Sequence, residues 1–196
     1  MTSIGVLAIQ GDFLEHRRML REIGVDAPEI RLPGQLDSID GLIIPGGEST
    51  TIVQLIDIYN FRTALAEKAK DGLPIWGTCA GMIVLAKSLS DHRPEPLQIM
   101  DIDVSRNAFG RQVDSFEAGL DFEEINGCDP YIAVFIRAPA VDRVGSGVKI
   151  LAELDDGRPV AVRQNDLLAT SFHPELTQDT RIHEFFLKMV EDASYR

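Results

Sequence analysis

The stretch that decides the fold is Leu73-Pro-Ile-Trp-Gly-Thr-Cys-Ala-Gly-Met-Ile-Val-Leu85. One apolar run enters its centre, Gly77-Thr78-Cys79-Ala80-Gly81, and a second apolar run leaves it. Two glycines placed around a cysteine in this way are typical of a sharp strand-to-helix turn that presents a nucleophile. Glycine lets the backbone bend sharply and leaves space beside the central side chain. The pattern predicts such an elbow at Cys79, with a buried cysteine in an ordinary tight turn as the alternative interpretation.

The elbow also predicts a use for the residue that follows the cysteine. The amide of Ala80 would lie at the start of the next helix, where the first N–H groups lack backbone partners and the helix dipole favours negative charge. A thiolate and a developing oxyanion are both stabilised in that setting. A base, an orienting group and a second oxyanion donor must come from other parts of the chain.

Apolar segments alternate with amphipathic segments up to about residue 90, as is typical of parallel strands joined by helices. Short strand-like segments follow, and an amphipathic helix closes the chain. We therefore expect an α/β fold: a flavodoxin-like three-layer sandwich with a mostly parallel central sheet, helices on both faces and a mixed, strand-rich second half, in a single domain over residues 1–196. The predicted strands are 3–9, 25–31, 41–44, 73–76, 99–104, 112–117, 131–136, 148–154, 159–163 and 167–171, and the predicted helices are 13–23, 52–59, 61–70, 82–87 and 180–192.

The composition excludes several classes of partner. The net charge of −12 over 196 residues argues against nucleic acid or an anionic membrane as the main partner, because both repel an acidic surface. No apolar run approaches the length of a membrane span, and the first ten residues lack the basic start of a signal peptide. We therefore expect a cytoplasmic protein.

The cysteine and histidine contents bear on disulfides and metals. Because we expect a reducing compartment, we do not expect a disulfide between Cys79 and Cys128. The four histidines and the absence of a C-x-x-C pattern also give no expectation of a metal site. Cys128 lies in Asn-Gly-Cys-Asp, without an elbow or a nearby base, and is predicted to be incidental.

A base for the cysteine is predicted at the end of the last strand, in Ser171-Phe-His-Pro-Glu175. Sites in open α/β sheets form at the carboxyl ends of strands, so His173 and Cys79 can meet at one edge. A cysteine nucleophile needs a base, and the imidazole needs an acceptor on its far nitrogen. Glu175 is two positions on and faces the same side of an extended backbone. A strand-end histidine beside a solvated glutamate is the alternative, which the elbow disfavours.

The second oxyanion donor is predicted in Pro45-Gly-Gly-Glu-Ser49, which follows the third strand. Two glycines allow backbone N–H groups to point into a site without obstruction, although a plain tight turn has the same composition. The other histidines carry weaker signals. His16 and His183 lie on amphipathic helices and are predicted to be surface or interface residues, and His92 lies in a polar loop.

These three motifs, in this order, resemble those of the class I, triad-type glutamine amidotransferases. Over nearly its full length the chain is more closely similar to the glutaminase subunits of pyridoxal phosphate synthase. The arginine-containing stretch from Asp103 to Gln112 is far more specific than the triad motifs. The stretches that carry the closer similarity are Gly5–Gly11, Glu15-His16, Pro45–Thr50, Asp103–Gln112, Ser115–Glu117, Phe135–Pro139 and Phe172–Thr177, with Arg181 and His183.

The resemblance implies hydrolysis of L-glutamine. Cys79 would attack the side-chain amide carbon, His173 would transfer the proton and Glu175 would orient His173, with the amides of Gly47 and Ala80 stabilising the oxyanion. From the residues alone, Arg106 and Arg137 could equally well form ion pairs on the surface. The resemblance implies that the amino-acid end of the substrate is held by Gly47, Glu48, Ser49, Arg106, Ile136 and Arg137.

The resemblance also implies a partner. Ammonia would pass to a synthase (lyase) subunit in a hetero-oligomeric complex, which makes pyridoxal phosphate from a pentose phosphate and a triose phosphate. Pyridoxal phosphate is then a product, and no cofactor is expected in this chain. The segment Gln10–His16, after the first strand, is our hypothesis for part of the partner-sensing surface. The alternatives are an amidotransferase subunit of another pathway, a cysteine hydrolase or stress-type protein on a similar fold, and a non-catalytic regulatory subunit.

Overall fold

Twelve strands and five α-helices form the fold within residues 2–106, 115–125 and 129–195, which are the residues that the computed structural model describes. Two short 3₁₀ helices, Pro33–Ser38 and Pro174–Leu176, complete the regular structure of this part of the chain. The strands are β1 (Ile4–Leu7), β2 (Glu29–Ile30), β3 (Gly41–Ile44), β4 (Ile75–Thr78), β5 (Ala86–Leu89), β6 (Met100–Ser105), β7 (Ser115–Leu120), β8 (Tyr131–Ile136), β9 (Ala140–Val144), β10 (Lys149–Glu153), β11 (Pro159–Gln164) and β12 (Leu167–Thr170). The helices are α1 (Phe13–Glu22), α2 (Ser49–Ile58), α3 (Phe61–Lys70), α4 (Ala80–Leu85) and α5 (Arg181–Ser194).

The central sheet has seven strands in the order β10-β11-β12-β4-β3-β1-β2. The five strands from β12 to β2 are parallel, and β10 and β11 add an antiparallel edge. β12 enters the sheet beside β4 with Thr170 opposite Thr78. Because parallel strands end at the same edge, the segments after β4 and β12 lie next to each other.

Helices cover both faces of this sheet. Along β3, Leu42 and Ile44 join a core cluster with residues of α2, α3 and α4, whereas Ile43 between them joins a second cluster with residues of α1 and α5. Successive side chains of a strand point to opposite faces, so each cluster fills one side of the sheet. The predicted three-layer α/β architecture is confirmed.

The strand-rich second half is also confirmed, and it is divided: β10, β11 and β12 join the central sheet, and the other strands form two smaller sheets. It contains a three-stranded sheet, β5-β6-β9, and a two-stranded sheet, β7-β8. Neither β5 nor β9 was predicted as a strand, and β5 overlaps the predicted helix 82–87 because a short apolar run does not distinguish the two structures. β2 is shorter than the predicted strand 25–31, and the predicted strand 112–117 lies partly outside the described residues.

Among the described residues, every helix is too short or too polar to span a lipid bilayer.

Candidate active site

Cys79 lies on a sharp turn between β4 and α4, with a positive φ of 47°. The turn depends on both flanking glycines. A Cβ atom on Gly77 would lie 2.4 Å from the carbonyl oxygen of Gly81, and one on Gly81 would lie 2.1 Å from that of Ile44. The predicted elbow is therefore confirmed, and α4 begins at Ala80 rather than at the predicted residue 82, which places the Ala80 amide at its first position.

His173 lies beside this elbow, as the strand order requires. Its Nδ1 is 2.6 Å from Oε1 of Glu175, and its backbone N–H donates to the carbonyl of Val134 on β8 at 2.8 Å. Burial lowers the pKa of His173, but hydrogen bonds with Cys79 and Glu175 outweigh it and raise the pKa to about 10. His173 is therefore an imidazolium at neutral pH, held between the sulfur atom and the carboxylate.

Glu175 is fully buried, so the alternative of a solvated glutamate is wrong. Burial raises its pKa, and the hydrogen bond and charge of His173 act in the opposite direction. A second carboxylate, that of Asp12, lies 3.6 Å from Nδ1 of His173. Burial raises the pKa of Asp12 as well, against the attraction of His173.

The loop after β3 packs directly against the histidine. A Cβ atom on Gly46 would lie 2.5 Å from Cε1 of His173, and one on Gly47 would lie 2.5 Å from Oε1 of Gln10. That same oxygen accepts the backbone N–H of Glu48 at 2.9 Å. The loop ends where Glu48 caps α2, because its carboxylate accepts a hydrogen bond from the N–H of Thr51 at 2.7 Å.

A cavity of about 470 Å³ opens between these segments. It brings together all of the predicted site residues except Glu175, which lies behind His173. Four of its lining residues were not predicted as site residues. Two of these, Gln10 and Asp12, lie in the loop after β1 and therefore at the same edge of the sheet. The predicted residues on its wall are Gly47, Glu48, Ser49, Cys79, Ala80, Arg106, Ile136, Arg137 and His173, and the others are Gln10, Asp12, Ile83 and Leu176.

Arg106 reaches the cavity from the end of β6 and is held there by an ion pair. Its Nε and Nη2 lie 2.8 Å from Oδ2 of Asp91, and its Nη1 lies 3.4 Å from Oγ of Ser49 and 3.3 Å from Oγ1 of Thr50. The remainder of the arginine-containing motif, residues 107–112, and the predicted incidental Cys128 lie outside the described residues.

The prediction that His16 and His183 are surface or interface residues is wrong. Both are fully buried, on the inner faces of α1 and α5, and both rings contact Trp76 of β4. The spacing of His16, Met19 and Leu20 is that of one helical face, which is the signal that could have placed this histidine inside.

Asp12, His173 and Glu175 are the described residues whose side chains could together hold a metal ion, with one ligand atom each within 4.8 Å of the others. The contact of 2.6 Å between His173 and Glu175 already joins two of the three groups. This arrangement fits proton transfer, and the absence of a metal stays a prediction.

Gly46→Ala is expected to reduce activity strongly, because the added methyl group would displace the His173 ring that it meets at 2.5 Å. We expect a loss of about tenfold or more in kcat, since a misplaced catalytic group can cost ~10²-fold. The matched control is Gly34→Ala, whose Cβ atom meets nothing within 4 Å. Steady-state kinetics of both variants measure the effect. Equal activities of Gly46→Ala and Gly34→Ala would contradict the proposed importance of the close approach between Gly46 and His173.

Asp91→Asn is expected to raise KM a few-fold while kcat changes little, because Arg106 would lose the partner that holds it at the cavity. The effect is modest because the carboxyl group of Asp91 is 42% exposed and exposed ion pairs are weak. Asp156→Asn, which breaks the ion pair with Arg158 on the β10–β11 hairpin, should leave KM unchanged. If kcat of Asp91→Asn fell while KM stayed the same, the proposed role of Asp91 in holding Arg106 at the cavity would be wrong.

An elbow cysteine, a buried histidine–glutamate pair and a glycine loop at one edge of an α/β sheet are the arrangement expected of a triad-type amidotransferase. Comparison with known families agrees, since the model of the SNO glutamine amidotransferase family matches residues 6–192. The chain belongs to that family.

Individual relatives are similar over nearly their whole length. The pyridoxal 5'-phosphate synthase subunit PdxT of Dehalococcoides mccartyi is 54% identical over 191 residues, which cover 96% of this chain and 97% of the relative. The subunit of the same name from Herpetosiphon aurantiacus is 55% identical over 188 residues, covering 94% and 98%. A crystal structure of a glutamine amidotransferase has a TM-score of 0.89 at 46% identity and covers 96% of this chain and 98% of that one.

Proposed function

We propose that this chain is the glutaminase subunit of a pyridoxal phosphate synthase. It hydrolyses L-glutamine to glutamate and ammonia and delivers the ammonia to a synthase subunit, which makes pyridoxal phosphate from a pentose phosphate and a triose phosphate. The observation that carries the proposal is the identity of 54–55%, over almost the whole chain, to relatives named pyridoxal 5'-phosphate synthase subunits. The cavity beside Cys79 supports it with a site for a small amide.

The proposed reaction starts at Cys79. Its sulfur atom forms a bond to the side-chain carbonyl carbon of glutamine, and the resulting oxyanion accepts the N–H groups of Ala80 and Gly47. His173 gives its proton to the amide nitrogen, the carbon–nitrogen bond breaks, and ammonia leaves. Glu175 keeps His173 oriented and supports its charge.

The second half of the proposed reaction removes the glutamyl group. His173 takes a proton from a water molecule, and the hydroxyl oxygen bonds to the thioester carbon. The carbon–sulfur bond then breaks, glutamate leaves, and the Cys79 thiolate faces the imidazolium again.

We propose that the cavity wall opposite Cys79 binds the amino-acid end of glutamine. A guanidinium group suits an α-carboxylate, and Arg106 and Arg137 supply two within reach of the cavity. Glu48 is the carboxylate on this wall, and burial raises its pKa but is outweighed by hydrogen bonds from Thr51 and Thr50, which lower it. It is thus ionised at neutral pH and suits the α-ammonium group. The proposed substrate contacts are Gly47, Glu48, Ser49, Arg106, Ile136 and Arg137.

We also propose that residues 1–196 form one glutamine amidotransferase domain and that the protein works in the cytoplasm. The family match over residues 6–192 supports the first statement. The acidic net charge and the content of only two cysteines support the second.

The test is a glutaminase assay with and without the pentose-binding synthase subunit, scored for both glutamate and pyridoxal phosphate. We expect low activity for the chain alone and a rise on partner binding, because an isolated glutaminase would waste ammonia. Glutamine hydrolysis that ignores the synthase subunit and yields no pyridoxal phosphate would instead favour a subunit of another pathway.

Because His16 is buried, it cannot belong to the surface that we propose to sense the partner, and the hypothesis is limited to the rest of Gln10–His16. Gln10 and Asp12 line the cavity, and the side chain of Leu14 is 57% exposed beside them. Leu14→Asp is therefore expected to weaken activation by the synthase subunit while the activity of the chain alone stays the same. Ile58→Asp, at an apolar residue that is 68% exposed on α2, is the matched control, and unchanged activation in Leu14→Asp would refute the hypothesis.

A further inference from the structure

A pair of buried histidines lies directly behind the catalytic residues. His16 of α1 and His183 of α5 are both fully buried, and Nδ1 of His16 lies 3.1 Å from Nε2 of His183. Trp76 packs against both rings, with centroid distances of 5.6 and 5.0 Å. Buried polar nitrogens cost free energy unless they have partners, and three of the four ring nitrogens of this pair have one within 3.1 Å.

His16 contacts both the segment that carries Cys79 and the segment that carries His173 and Glu175. Its Nε2 lies 3.1 Å from Oγ1 of Thr78, the residue before the nucleophile, and 3.2 Å from Oε2 of Glu175. The other carboxylate oxygen of Glu175 is taken by His173 at 2.6 Å. Oε2 itself has no well-aligned hydrogen-bond partner within the described part of the chain, and the N–H of His16 is the donor that faces it.

The charge state of the pair follows from its burial. Burial lowers the pKa of His183 to about 3, and burial together with the neighbouring histidines lowers the pKa of His16 well below its usual value. Both rings are therefore neutral at neutral pH and carry one N–H each. The pair therefore acts on Glu175 as a neutral, polar neighbour and not as a cation.

The contacts also favour one tautomer. Nε2 of His16 faces a carboxylate oxygen of Glu175, which accepts, and the Thr78 hydroxyl, which can donate or accept, so we assign the proton to Nε2. Nδ1 of His16 is then an acceptor, and Nε2 of His183 must donate to it. This leaves Nδ1 of His183 as a bare acceptor, in agreement with its lack of a hydrogen-bond partner in residues 2–106, 115–125 and 129–195.

We propose that His16 is a positioning residue for the histidine–glutamate pair. Its Nε2 lies against the Glu175 carboxylate at 3.2 Å and the Thr78 hydroxyl at 3.1 Å, and so keeps the carboxylate beside His173 and close to the elbow that carries Cys79. His183 acts behind it by fixing the proton on Nε2. The link to glutamine turnover rests on the proposed function, whereas the link to the reactivity of Cys79 does not.

Several charged or titratable groups surround Glu175 and enter any pH profile. His173 lies on its own segment, Arg18 of α1 reaches its backbone carbonyl at 3.5 Å, Asp12 acts on it from the turn before α1, and Tyr131 of β8 is close enough for their charges to interact. The variants chosen for the test leave all of these in place.

The test compares two amides at position 16. In His16→Gln the side-chain amide nitrogen takes the place of Nε2 and can donate to Glu175, whereas His16→Asn reaches only the place of Nδ1. Leu20→Ala is the matched control, because it removes a fully buried apolar side chain from the same helix. The readouts are the pH profile of Cys79 alkylation by iodoacetamide in the full chain, glutamine hydrolysis by its complex with the synthase subunit, and thermal unfolding.

For His16→Asn we expect kcat to fall about tenfold or more with KM within about twofold, since positioned acid–base catalysis contributes ~10²–10⁴-fold. The alkaline limb of the alkylation profile should move to lower pH, because a loosely held carboxylate stabilises the His173 imidazolium less. His16→Gln should recover most of both properties. Leu20→Ala should lower the midpoint of thermal unfolding and change neither.

Two results would overturn the proposal: a His16→Asn variant that behaves like Leu20→Ala, or a His16→Gln variant no better than His16→Asn. If His16→Asn does not fold, His183→Phe removes the donor behind His16 and should move the alkylation profile in the same direction, and an unchanged profile would then overturn it. If the native complex does not hydrolyse glutamine, the proposed function fails, while the alkylation profiles still decide the role of His16.

Discussion

Replacing Cys79 with alanine is expected to reduce glutamine hydrolysis by the complex to background. The loss should be on the order of 10⁵–10⁶-fold, as for removal of the nucleophile from a catalytic triad. Only the sulfur atom could form the proposed thioester, because the backbone amides of Ala80 and Gly47, the proposed oxyanion donors, cannot attack the substrate. The fold should survive, since alanine keeps the Cβ atom and adds nothing to the tight contacts at Gly77 and Gly81.

Glutamate release in the presence of the synthase subunit measures this effect, with thermal unfolding as a check on the fold. Cys128→Ala removes the other cysteine of the sequence and should leave turnover unchanged. Covalent labelling by a glutamine-like electrophile should occur in the native chain and disappear in Cys79→Ala. Undiminished turnover in Cys79→Ala would rule out the thioester mechanism.

Glu175→Gln is expected to lower kcat by ~10²–10⁴-fold, because an orienting carboxylate that becomes an amide can leave the histidine in the wrong tautomer. The amide keeps the shape of the side chain but loses the negative charge 2.6 Å from Nδ1 of His173. The raised pKa of His173 should therefore fall, and the alkaline limb of Cys79 alkylation should move to lower pH. Glu153→Gln, at an exposed position on β10, is the control.

The raised pKa of His173 also determines how stability depends on pH. A histidine whose pKa rises from 6.5 to about 10 on folding binds its proton more tightly in the native state. Its contribution is complete below pH ~6.5 and is lost as the pH rises through ~10. The free energy of unfolding, measured by denaturant titration between these values, should fall with pH in the native chain and less steeply in Glu175→Gln. If the free energy of unfolding fell equally steeply with pH in both proteins, Glu175 would not be the group that raises the pKa of His173.

The parts of the site that could be predicted from the sequence depend on local spacing. The elbow needs glycines two positions either side of Cys79. The histidine–glutamate pair was predicted on an extended segment, but Pro174–Leu176 forms a 3₁₀ helix, which still brings Glu175 to 2.6 Å from His173. The order of strands in a parallel sheet then brings the two motifs to one edge. These relations hold for any chain that adopts the fold, so motif and topology were enough.

The missed features depend on which surfaces pack together. The ion pair of Arg106 with Asp91 joins two loops that are distant in sequence, and no spacing rule predicts it. The burial of His16 depends on which face of α1 meets Trp76, and an amphipathic pattern that counts histidine as polar points that face outward. β5 and β9 pair with β6, a partner that the sequence does not identify.

The place of β12 beside β4 in the central sheet determines when the active site can form during synthesis of the polypeptide. The proposed nucleophile, Cys79, lies in the first half of the chain, whereas the proposed proton carrier, His173, follows β12, so a nascent polypeptide would contain the thiol before it contains the histidine. Pairing between such distant strands forms late, because loop closure must precede it. We therefore expect the elbow to become catalytically competent only after the residues that follow β12 have been synthesised and β12 has paired in the sheet. Unfinished chains, which lack His173, are expected to release no ammonia from glutamine.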